Sequence, residues 1–176
     1  QSWSPTAMAQ TTDTSDDGEP AQGGGDLDTE VDELLATAAR QQAEGEFDEA
    51  LASLEEALAL TAESADQALI ASIWAAIGEL QESEKSPKLA AIAYSNAGTF
   101  LLAADENEDA LSQFINAAAL WTQAEEDARA IEAYAQAVEA AIALDRTSVA
   151  VSLMQTQGDL HRELAEYQDS VERYSA

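Results

Sequence analysis

Any catalytic or metal-binding reading of this chain would start from His161, its one histidine, and there is no cysteine. One imidazole is too little. A zinc site needs three or four ligands, and a triad needs a nucleophile, a base and an orienting group. The missing thiols remove disulfides, thiolate metal sites and cysteine nucleophiles together. His161 also falls in step with Gln41, Gln81 and Trp121, at equal intervals along the chain. That register predicts a packing role in the core or at its boundary.

Carboxylates are plentiful but poorly arranged for chemistry. Glu55-Glu56 and Glu125-Glu126-Asp127 are consecutive. Acid–base catalysis needs a carboxyl perturbed by burial or by a charged partner, and neither run supplies one. Acids at helix starts complement the macrodipole, so both runs read as solvated surface. "DTSDDG" puts Asp13, Ser15 and Asp17 at alternate positions of a calcium loop, with Gly18 sixth. An EF-hand also needs a glutamate at position 12 and a helix on each side. Gly24 stands there instead, and Pro20 lies inside the loop. "QGGGD" (22–26) lacks the lysine and the preceding strand of a phosphate loop. The expectation is a non-enzymatic protein without metal or cofactor.

The charge balance narrows the partners. Asp and Glu number 35 against 7 Lys and Arg, a formal net charge of −28. Nucleic acid and anionic membranes are gripped through clustered Lys and Arg, so neither is an expected partner. Like charges also repel across a compact chain. Molar salt shortens the Debye length to about 3 Å and relieves that repulsion. An acid excess with only Lys85 and Lys88 as lysines points to a halophilic organism. No run approaches the roughly 18 apolar residues of a membrane span. Direct membrane insertion is therefore not expected, and a cytoplasmic location is.

The elements that would carry any site are helical. Alanine, the best helix former, dominates the apolar residues. Residues 1–28, rich in Thr, Ser, Asp, Gly and Pro, read as a disordered acidic tail. Met8 is a candidate natural start, which would make Gln1–Ala7 an expression remnant. From residue 29 to 176 the chain is periodic. Phe47, Pro87, Asp127 and Tyr167 recur at one constant step. Ala50, Ala90, Ala130 and Ser170 follow three later, and Leu54, Tyr94, Tyr134 and Tyr174 four beyond those. Such offsets share one helix face.

The preceding segments keep step. Leu34, Trp74, Phe114 and Met154 are large, and Ala38, Gly78, Ala118 and Gly158 stand four later. Alternating large and small residues lets neighbouring helices approach at the small ones. Trp74, Tyr94, Phe114 and Trp121 form the expected aromatic core. Ser86 with Pro87 marks a helix start, Ser64 to Gln67 reads as a capping box, and Thr147 opens a further helix. Breaks near residues 45, 63, 85, 105, 126, 146 and 165 predict eight antiparallel helices.

This pattern resembles the tetratricopeptide repeat. "LLATAARQQAEGEFDEALASLEEALAL" carries the resemblance through Leu34, Ala38, Gly45, Phe47, Ala50, Leu54 and Ala57. "NAGTFLLAADENEDALSQFINAAALW" carries it again through Gly98, Ala110, Phe114 and Ala117, offset by one helix. The 40-residue period is similar to the soluble NSF attachment protein (SNAP) branch. The resemblance implies an all-α, right-handed α-solenoid of about four antiparallel helix pairs over 29–176. It also implies an adaptor that grips helical bundles, although that branch uses a basic face which this chain cannot build.

The same resemblance implies that the first helix of each pair lines a concave groove. The partner-binding residues projected there are Leu35, Ser72, Glu79, Glu82, Ser112, Ile115, Thr122, Gln155, Asp159 and Arg162. A helical or extended protein segment with a basic side would suit them. Asn96 and Arg162 are too few for a carboxylate clamp. A second expectation is self-assembly into a homo-oligomer through the C-terminal helix, by way of Val171 and Tyr174.

Overall fold

The computed structural model describes residues 23–62 and 64–175, with side chains over 27–62 and 64–166. Seven helices follow one another: α1 (Gly23–Glu44), α2 (Phe47–Leu60), α3 (Gln67–Ser83), α4 (Pro87–Ala103), α5 (Asn107–Gln123), α6 (Asp127–Ala143) and α7 (Thr147–Ser175). Among the described residues there is no strand. Each helix packs on its neighbour in sequence, and α1 also touches α3. The architecture is an all-α helical-repeat solenoid.

The turns show why the helices stop where they do. Gly45, Lys85, Asp105, Glu125 and Asp145 are all left-handed, with φ between 55° and 81°. Asp105 donates its N–H to the Leu102 carbonyl at 3.1 Å, and Glu106 donates to the Leu101 carbonyl at 2.9 Å. The other four turns repeat both bonds. This is the Schellman arrangement, which satisfies the orphan carbonyls of a helix end. The turns at Lys85, Asp105, Glu125 and Asp145 are evenly spaced, so the structural unit is one helix with its turn.

Alanine occupies the two missing steps, Ala65 and Ala165. A left-handed residue with a Cβ costs about 1–2 kcal/mol, a cost that Lys85, Asp105, Glu125 and Asp145 bear at the other steps. At Ala65 the connection lengthens to residues 61–66. At Ala165 no break occurs. The expected stop near 165 and the eighth helix are therefore corrected: α7 runs unbroken through "AEY", which holds no Gly, Pro, Asp or Asn.

Other boundaries also differ. The expected tail ended at 28, yet α1 begins at Gly23, and Leu27 packs on the first core cluster. The Ser64–Gln67 capping box is replaced by an Asp66 cap, whose carboxylate accepts from the Leu69 N–H at 3.0 Å. Ser64 instead accepts from the Asp66 N–H. Ser86 and Pro87 hold the positions expected of them. Asp13–Gly18 of the calcium-like loop and the proposed start at Met8 lie outside the described residues, while Gly23–Gly25 of the glycine run open α1.

Small residues set the helix spacing. Ala50, Ala90, Ala110, Ala130 and Ala150 are all buried. A Cβ added to Gly78 would lie 2.6 Å from the Tyr94 ring, and one added to Gly98 would lie 2.7 Å from the Phe114 ring. Both glycines are thus notches that seat an aromatic from the next helix. Phe114, Tyr94 and Trp121 are core residues, while Trp74 is half-buried. Two expectations fail on α7: Met154 and His161 are exposed, because no eighth helix lies over that face.

Candidate protein-binding clefts

The odd-numbered helices carry the residues projected as a groove, and the structure gathers only some of them. Leu35 on α1 and Ser72 and Glu79 on α3 meet in a cleft of about 310 Å³. Ala38, Leu54 and Leu80 form its apolar floor. At one end the Gln42 carboxamide donates to Ser83 Oγ at 2.8 Å, tying α1 to α3. Glu79 is exposed on the wall. An apolar floor under an exposed carboxylate suits an apolar side chain beside a cation.

The other projected residues lie elsewhere. Glu82 accepts a hydrogen bond from Tyr94 Oη at 3.1 Å. Burial, and then that bonded carboxylate, raise the Tyr94 ionisation well above the ordinary phenol range. Ser112 donates to the Glu108 carbonyl, and Thr122 to the Ala118 carbonyl, so both hydroxyls are tied to their own helix. Thr122 also stands on the rim of an acidic hollow with Glu125, Glu126 and Glu163. Ile115 packs against the core, and Gln155 is exposed on α7. Asp159 and Arg162 pair with each other at 2.8 Å. Of the ten residues, Leu35, Ser72 and Glu79 line the α1–α3 cleft together.

A second cleft, of about 410 Å³, opens between α4 and α6. Ser95, Asn96, Thr99, Glu132 and Gln136 line it, and the Arg129 guanidinium lies 4.7 Å from the Trp121 ring centre. The groove projection missed it by following the odd helices alone. A signal was present: Asn96 and Gln136 stand one full repeat apart, and the repeat motif fits in either phase. Asn96 lines the α4–α6 cleft, and Arg162 sits on α7, paired with Asp159.

The ion pairs follow the repeat. Lys88 on α4 pairs with Glu126 at the start of α6, and Arg146 before α7 pairs with Glu108 on α5. Moving both members of the first pair forward by one helix and its turn gives the second with its charges exchanged. The bonded Lys88 ammonium holds the Glu126 carboxyl below its usual range. Among the described residues no group of three or more His, Asp or Glu could hold a metal ion. Among them, too, no helix is long and apolar enough to cross a membrane.

No family model matches the chain, and no curated protein matches it. A crystal structure of BtubC (BKLC) from P. vanneervenii is similar to it, with a TM-score of 0.55 and 23% identity. The match covers 78% of this chain and 56% of that one, so the chain spans little more than half of BtubC's length. The likeness is one of fold, and that fold is a helical repeat.

Proposed function

We propose that this chain is a non-catalytic adaptor of tetratricopeptide-like, SNAP-like build. It docks a helical or extended segment of another protein in the α1–α3 cleft. The observation that carries this reading is the meeting of Leu35, Ser72 and Glu79 over an apolar floor. Solenoids bury their core between neighbours and leave extended surfaces for partners. In molar salt screening leaves only short-range charge contacts, so Glu79 would act on a cation seated directly beside it. The chain's net negative charge fits a protein of a halophilic cytoplasm.

The test is a pull-down from a salt-loving host in multimolar KCl, read by mass spectrometry. The bait is the wild-type chain beside Leu35→Arg/Glu79→Lys, two changes at the wall of the cleft. The expected result is a protein recovered by the wild type and lost from the variant. Equal recovery by both would move the working surface to another face, with the α4–α6 cleft the next to change.

A further inference from the structure

The α4–α6 cleft departs from the repeat at Arg129. The matching steps hold Glu49, Leu69, Leu89, Asp109 and Val149, and none of these is a cation. The Arg129 guanidinium lies 4.7 Å from the centre of the Trp121 ring, which is buried. That contact holds the charge over the ring. Among the described residues Lys88, Arg146 and Arg162 each have a carboxylate partner, and Arg129 has none within ion-pair distance.

The other polar groups of the cleft are equally unused. Glu132 stands almost one turn beyond Arg129 on α6, and the two form no ion pair. It is the one acid on the cleft wall, in a chain that has 35. Ser95, Asn96 and Gln136 are half-buried, yet their side chains make no hydrogen bond among the described residues. Groups withdrawn from water ordinarily find partners, and these line an opening instead. In the α1–α3 cleft, by contrast, the Gln42 carboxamide is already bonded to Ser83.

A ligand for this cleft must answer a cation and an anion at neighbouring positions of one helix. Residues three apart have Cβ atoms roughly 5–6 Å from each other. A small zwitterion answers both. Its carboxylate accepts from the Arg129 guanidinium, in the fork geometry that favours carboxylates, and its ammonium donates to Glu132. Its net charge is zero, so the acid excess of the chain does not repel it. A phosphate dianion would meet Glu132 as a like charge. The Asn96 and Gln136 carboxamides offer donors and acceptors to a polar side chain. The cleft, at about 410 Å³, falls within the roughly 300–1,000 Å³ of small-ligand sites. We infer that the α4–α6 cleft binds a free α-amino acid with a polar side chain, held by Arg129 and Glu132 at its two charges and by Asn96 and Gln136 at its side chain. The site is separate from the α1–α3 cleft, and neither needs the other.

Trp121 lines the cleft and can report its occupancy. The full chain in molar KCl is titrated with each common amino acid in turn, and the indole N–H resonance of Trp121 is followed by NMR. Loss of that resonance in Trp121→Phe assigns it. At least one polar amino acid should shift it saturably. Arg129 and Glu132 are exposed, so Arg129→Gln and Glu132→Gln should keep the helix content of the wild type while each weakens that binder several-fold. The N-acetyl and the carboxamide derivative of the same amino acid lack one charge each, and both should bind several-fold more weakly. No saturable shift with any amino acid would overturn the site. Derivatives that bind as tightly as the parent would overturn the zwitterion and assign the cleft to a peptide segment. Folded Arg129→Gln and Glu132→Gln chains with unchanged affinity would overturn the roles given to those two side chains.

Discussion

Helices α3 to α6 repeat at every level, and the two ends repeat only in part. In the central block all four helices are equally long, the turns between them are left-handed, and both glycines hold a ring. At the front, α2 is shorter than these and reaches α3 through a longer connection. Those two helices touch least of all sequential neighbours. At the back, α7 is the longest described helix, its glycine holds no ring, and its Val151 and Met154 are exposed. Both irregularities coincide with an alanine at the turn step. At these two steps α2 ends early, at Leu60, and α7 runs on through Ala165.

The largest effect should come from salt, and it should separate block from ends. A net charge of −28 on 176 residues opposes compaction. Circular dichroism should show helix content and melting temperature rising steeply from dilute buffer to molar KCl. Amide exchange in low salt should reach α1, α2 and α7 before α3 to α6, since their contacts are fewer. Full helicity in dilute buffer, unchanged by KCl, would remove the halophilic reading. Uniform exchange along the chain would erase the distinction between block and ends.

The next effect compares one substitution at two glycines. Gly98→Ala puts a methyl against the Phe114 ring, and overpacking of that kind costs about 1–3 kcal/mol. Gly158→Ala meets open space and gains helix propensity, up to about 1 kcal/mol. Denaturant melts should show a loss at Gly98 and no loss at Gly158. A loss at both would mean that the α7 face is already covered in solution.

Much of this was legible in advance, and the rest failed for identifiable reasons. The helices, the solenoid and the small-against-large packing follow from spacing, because alanine and glycine at fixed offsets leave few other ways to pack. Tyr94 and Phe114 were readable as core from that spacing alone. The missing break at 165 was not, since Tyr167, Val171 and Tyr174 keep the repeat pattern while Ala165 lacks the turn. The groove was only partly readable. Leu35, Ser72 and Glu79 converge, but Glu82 is bound to Tyr94, and Ser112 and Thr122 are tied to their own helices. A pattern that fits in both phases cannot say which side faces a partner, and the α4–α6 cleft went unseen for that reason.

The smallest effect concerns the ion pairs that mark the block. One constant step joins Lys88 to Glu126 and Glu108 to Arg146. The same step nearer the N-terminus joins Asp48 with Ser86 and Ala68 with Glu106, which carry no opposite charges. If these pairs tie alternate helices together, they act only from α4 onward. Both members of the Arg146 pair are exposed, at 43% and 64%, and exposed pairs contribute about 0.2–1 kcal/mol. Arg146→Glu should therefore destabilise slightly, and adding Glu108→Arg should restore stability by returning opposite charges to the same two positions. In molar KCl both differences should shrink, because screening weakens exposed pairs. A double variant no more stable than the single one would show that the two charges are neighbours without coupling. The order of the block would then rest on turns and glycine notches alone.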